Sequence, residues 1–167
     1  MENRDYFEDI VAILRQEKEI HHSLINSAES INASIRNGNQ QELSSFTTVY
    51  DEQICRLEKM EERRIEIYSG LCQDYNIAHS AKLSSVLHHA PEKTRGALEE
   101  ASSQLKELIT KLSAVNESNK ILLEESLNAL NYTFDTVKQS SQRFKGYRHK
   151  GDQKTSNSEI TIFNQVI

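Results

Sequence analysis

The sequence predicts an all-α protein: an antiparallel hairpin of two long helices, a short helix, and a long C-terminal helix, forming an elongated coiled-coil-like bundle with a flexible C-terminal tail. Three observations carry this expectation. Chain breakers are scarce, with 1 Pro and 5 Gly among 167 residues, while Glu, Lys, Gln, Leu and Ser abound. Apolar residues return every three or four positions over long stretches, the period of a helix laid lengthwise against others. Hydrophobic content is 37% and mean hydropathy -0.65, low for a filled sphere but enough for narrow stripes on long helices.

The first helix carries Phe7, Ile10, Leu14, Leu24, Ala28, Ile31 and Ile35 in a three–four rhythm. The rhythm is unbroken only if Glu17 and His21 fill the seats between Leu14 and Leu24. Ile13, Ile20 and Ile25 widen the stripe beyond a two-stranded seam. In "RNGNQQ", Gly38 suits a left-handed helix cap and Asn39 suits the start of the next helix. So short a turn forces the two long helices antiparallel.

The second helix is expected over about 40–77, with Leu43, Phe46, Tyr50, Ile54, Leu57, Ile65, Tyr68, Leu71 and Tyr75 as its apolar row. The charges of "LEKMEERRIEIY" are assigned to solvent. Ser80 is placed to cap a short helix carrying Leu83, Val86 and Leu87. Pro91 and Glu92 fit the first turn of the last helix, expected over about 92–142. Its stripe is Leu98, Leu105, Leu108, Leu112, Val115, Asn119, Leu123, Leu127, Leu130, Phe134 and Val137. Steps of four from Val115 to Leu127 interrupt the heptad as a stutter does. Glu107 and Lys111 form an expected surface pair. The helical domain is thus 1–143, and 144–167 is a basic tail containing Lys145, Arg148, Lys150 and Lys154. That tail is too polar to order itself, except for its apolar end "ITIFNQVI", which needs a partner.

Composition narrows the function classes. A formal charge of -5 repels phosphate backbones, so no nucleic acid is expected. No run approaches the roughly 18 apolar residues of a membrane span, and "MENRDYFEDI" lacks the apolar core of a signal peptide. With Cys55 and Cys72 read as reduced thiols, the expectation is a cytoplasmic protein without stable membrane insertion. Glu19 and His22 show the Glu-x-x-His spacing of di-iron bundles, but no second copy accompanies them. His88 and His89 are adjacent and diverge on a helix. Gly-rich phosphate loops, Cys-x-x-Cys pairs and nucleophile elbows are absent. No catalytic residue, metal or cofactor is expected, and the protein is not read as an enzyme.

The stretch "LSAVNESNKILLEESLNALNYTF" places Asn116 and Asn119 beside an apolar row. These amides could set register in a coiled seam, could be ordinary exposed residues, or could mark a groove that another chain fills. The order of features resembles the FlgN family of flagellar type III export chaperones across nearly the whole chain. The most specific match is Leu112, Asn116, Asn119, Leu122, Leu123, Ser126 and Leu127, and a second is Tyr147, Gly151 and Gln153. The resemblance implies a carrier without catalysis that holds hook–filament junction proteins and delivers them to the cytosolic domain of the flagellar export gate. It places client binding on Asn116, Asn119, Leu122, Leu123, Ser126, Leu127, Leu130 and Phe134, and the gate contact on Tyr147. On this reading the leucines and Phe134 offer apolar surface to client helices, while the amides and Ser126 keep the free form soluble. The alternative is a structural coiled-coil protein whose stripe serves self-association.

Overall fold

The computed structural model describes residues 5–78 and 82–146, and every long element among them is helical. Helix α1 is Tyr6–Asn37, α2 is Gln40–Asp74, and α3 is Leu83–Val86, which leads into a 3₁₀ turn at Leu87–His89; α4 is Glu92–Gly146. The chain divides into two units, Met1–Leu127 and Asn128–Ile167. The bundle belongs to the first.

Local chemistry sets the helix ends. The Asp5 carboxylate accepts from the amides of Phe7 and Glu8 at 3.1 and 3.2 Å, satisfying donors that the first turn of α1 leaves open. At the other end Gly38 sits at φ +64°, where an L side chain is disfavoured. The Gly38 and Asn39 amides donate back to Ile35 and Ser34 carbonyls at 3.1 and 3.0 Å. The Asn39 side chain then accepts from the Glu42 amide at 3.2 Å. Both expected caps are present, and the reversal takes two residues.

Helix α2 stops at Asp74, earlier than expected. Asn76 turns left-handed at φ 52°, which Asn tolerates better than most residues, and the Ile77 amide returns to the Cys72 carbonyl at 2.8 Å. The start of α3 is capped by Lys82 without a side-chain bond; Ser80, the expected cap, lies outside the described residues. Pro91 stands just before α4, its carbonyl accepting from the Thr94 and Arg95 amides at 3.0 Å each. The Arg95 guanidinium donates to the carbonyls of Leu87 and Ala90 at 3.1 and 3.2 Å, tying the connection to α4.

Two apolar clusters hold the three long helices. One joins Phe7, Ile10 and Leu14 of α1 with Ile67 and Leu71 of α2, Val86, and Leu98 and Leu105 of α4. The other joins Ile20, Leu24, Ile25 and Ala28 with Leu112, and Tyr50, Ile54 and Leu57 pack against it. Contacts advance together along α1 and α4, so α4 runs parallel to α1 and antiparallel to α2. Each fully buried Leu or Ile contributes about 1.5–3 kcal/mol. Tyr75, 43% exposed, closes one end by meeting the Phe7 ring edge-on at 5.7 Å and the His89 ring at 5.4 Å. Nearby, a Cβ at Gly70 would come within 2.9 Å of the Tyr6 ring, so glycine permits α2 to approach the first turn of α1 this closely. Burial, reinforced by neighbouring Cys72, pushes the Tyr68 phenol up to about 12, leaving it neutral at physiological pH.

The polar seats of α1 behave as the rhythm requires. Glu17 is 1% and His21 6% exposed, and the His21 Nδ1 lies 2.8 Å from the Glu17 carbonyl. A carbonyl only accepts, so Nδ1 carries the proton. One expected placement on α2 fails. Ile65 is 63% exposed and Ile67 is the buried residue, because the steps 57, 60, 64, 67 and 71 keep the helical phase, pass Ile65 by and turn Arg64 inward. Its Nε donates to Glu17 Oε1 at 2.8 Å, so Arg64 leaves the solvent face assigned to its segment. Lys111 likewise pairs with Glu29 of α1 at 3.0 Å instead of Glu107; both partners are exposed, and the contribution is under about 1 kcal/mol.

Candidate functional site

The apolar row of α4 begins inside the bundle. Leu98, Leu105 and Leu112 are buried, and Leu108 and Val115 are half-buried. The row then meets Asn119, which is 7% exposed. Its Nδ2 donates to the Ala28 carbonyl at 2.8 Å, and its Oδ1 accepts from Asn32 Nδ2 at 2.7 Å. Asn32 Nδ2 also lies 3.3 Å from Ser118 Oγ, and Asn32 Oδ1 accepts from Arg36 Nε at 2.9 Å. Asn116 is exposed, with Nδ2 donating to the Tyr50 hydroxyl at 2.8 Å. The two amides therefore tie α4 to α1 and α2 respectively. Asn119 does not face solvent, and it fits the register-setting reading. Asn116 is an exposed tether.

Cover runs out beyond this rung. Asn119 is level with Ala28 and Asn32, and α1 ends at Asn37, so the hairpin offers little more than one further turn at roughly 1.5 Å per residue. Leu122 is half-buried, while Leu123 is 41% and Leu127 59% exposed, with Ile121 at 47% alongside. Ser126 is exposed and its hydroxyl donates to the Leu122 carbonyl at 2.7 Å.

In the second unit, residues 128–140 are all exposed. Leu130 and Phe134 are each 55% exposed, Val137 59% and Tyr132 76%. The hydroxyls of Thr133 and Thr136 donate to the carbonyls of Ala129 and Tyr132 at 2.8 and 2.9 Å. Hydroxyls satisfied by their own helix strand no donor when a partner displaces water. Tyr147 lies outside the described residues.

Sequence reasoning missed Asn32, Tyr50 and Arg64 as partners, and Tyr132 as an exposed aromatic. Only Arg64 had a usable signal, the unbroken three–four count from Leu57. The amide partners come from helices far away in sequence.

Among the described residues no group of three His, Cys, Asp or Glu side chains comes together; His22 is exposed and Glu19 only half-buried. Cys55 is exposed and Cys72 buried, both as thiols. A shallow groove of about 480 Å³ between α1 and α2 is lined by Gln16, Ile20, Gln53, Arg56 and Met60 among others. No described helix is long and apolar enough to cross a membrane. Purified protein is expected to carry no stoichiometric iron or zinc, and His22→Ala to leave its melting unchanged. Elemental analysis finding one tightly bound metal per chain would overturn this.

Fold and face together define an all-α bundle protein whose longest helix presents apolar side chains to solvent, the mark of a helical binding surface. The sequence model of the FlgN protein family matches residues 1–155. The chain belongs to the FlgN family, a family of flagellar export chaperones and not of enzymes. No match was found among curated proteins or among solved structures.

Proposed function

We propose that this chain is a cytoplasmic chaperone that binds hook–filament junction proteins and delivers them to the cytosolic domain of the flagellar export gate. The observation that carries the reading is the passage of one apolar row from core to solvent. Leu112 is 9% exposed, whereas Leu123 and Leu127 are 41% and 59%. A row that served only the protein's own core would end where its cover ends. Client binding falls on Leu122, Leu123, Ser126 and Leu127 in the first unit, and on Leu130 and Phe134 in the second. Asn116 and Asn119 contribute by holding α4 to the hairpin.

The direct test mixes the purified chain with purified junction proteins and measures complex mass by size-exclusion chromatography with light scattering. A defined heteromeric complex supports the reading. Self-association of the chain with no client bound would support the structural coiled-coil reading instead.

The gate contact is assigned to Tyr147, whose sequence neighbours Lys145, Arg148 and Lys150 would steer an aromatic anchor toward an acidic surface. Tyr147→Ser is expected to weaken binding of client-loaded chaperone to the gate domain about tenfold or more, with client capture and melting unchanged. Affinity should also fall as salt rises, because rim charges are screened within about 10 Å at 0.1 M. Equal affinities of the two proteins in a titration would move the gate contact elsewhere.

A further inference from the structure

The buried leucine seats of α4 are nearly degenerate. Leu98, Leu105 and Leu112 are spaced by seven, as are Ala101, Leu108 and Val115, and all six lie in or against the two core clusters. Sliding α4 along α1 by one heptad, about 10 Å, would seat leucine on leucine along the 98–105–112 row, while the other row would put Leu108 in the Ala101 seat and Val115 in that of Leu108. Burial along the leucine row therefore discriminates weakly between registers, and the Ala101 seat alone resists one of the two slides.

Asn119 breaks the degeneracy. One slide would carry its amide into the seat of Leu112, among the Ile20, Leu24 and Ile25 side chains and away from Asn32 and the Ala28 carbonyl. A buried amide without partners is heavily penalised. The opposite slide would put Leu112 against Asn32 and carry Asn119 off both of its bonds, at 2.7 and 2.8 Å. A single register keeps every partner.

We propose that Asn119, with Asn32, is a positioning residue that locks the register of α4 against the hairpin and so decides which leucines are core and which remain exposed. A buried amide in an apolar row trades packing for uniqueness. The consequence for client capture rests on the chaperone reading above: a slide of one heptad would turn Ser126 inward and present a different set of side chains.

The test places spin labels at Arg15→Cys on α1 and Glu117→Cys on α4, both exposed positions, in a chain carrying Cys55→Ser and Cys72→Ala. Pulsed dipolar spectroscopy of this parent should give one narrow distance. Asn119→Leu should add a second population displaced by up to about 10 Å and weaken client capture several-fold, without lowering the melting temperature. Asn119→Ala, which adds no bulk, should shift the distances in the same way. A single unshifted distance in both variants overturns the lock. The distances need no client, so failure of the wild type to capture junction proteins would count against the chaperone reading alone. Capture by the wild type together with unshifted variants would count against the lock alone.

Discussion

Leu127→Asp and Leu130→Asp are expected to abolish capture of hook–filament junction proteins while leaving the free protein folded. Leu127 is 59% and Leu130 55% exposed, so a carboxylate at either position stays hydrated and changes stability by about 0.5 kcal/mol or less. For a chain of this length that is roughly 2 °C in melting temperature. Binding is affected quite differently. A client helix covering the row would lose the burial of a leucine and would have to desolvate a charge, about 3 kcal/mol or roughly 100-fold in affinity for each substitution. Leu112→Asp supplies the internal contrast, because Leu112 lies in the core cluster with Ile20, Leu24 and Ile25 and its substitution should unfold the bundle. Isothermal titration of junction protein into each folded variant, with melting curves alongside, reads both quantities. If Leu127→Asp melts tens of degrees early, the leucine is core and the client surface must be sought elsewhere.

Arg64→Ala is expected to destabilise the bundle by about 3 kcal/mol, roughly a 10 °C loss in melting temperature. Glu17 Oε1 receives Arg64 Nε at 2.8 Å, and the Glu17 side chain is 2% exposed. Removing the guanidinium strands a buried carboxylate, the costly half of breaking such a pair. The value lies at the low end of the range for buried pairs because the Arg64 side chain is 37% exposed and part of its charge is already screened by water. Replacing both residues, Glu17→Leu with Arg64→Leu, should recover most of the loss, since an apolar pair of similar volume needs no compensation. Urea denaturation of the two singles and the double measures this directly. Additive losses in the double would show that the pair is not coupled, and that Glu17 is held by something other than Arg64.

Much of the fold is legible in the sequence. The caps at Gly38 and Asn39, the polar seats of Glu17 and His21, and the long last helix all follow from local chemistry and a repeat period. Residue type points to Ile65 as a buried seat of α2, whereas phase counted from Leu57 leads to Arg64. The end of α2 at Asp74 precedes the expected one, because a left-handed Asn76 leaves only a weak signal in sequence.

The candidate site divides along the same line. Read alone, the sequence shows that this chain is helical, that its helices carry apolar stripes, and that one stripe runs from Leu98 to Val137 with an amide and a stutter in its middle. Periodicity is a property of one helix, so it can be read from that helix alone. Tertiary structure decided where along the stripe burial ends, that Arg64 faces Glu17, and that Asn119 bonds Ala28 and Asn32. Burial depends on what stands opposite, and that is set by where the hairpin turns at Gly38 and by the register of α4 against it. Leu112 and Leu127 are alike in type and both lie on the stripe. They differ because α1 lies beside the first and ends before it could cover the second.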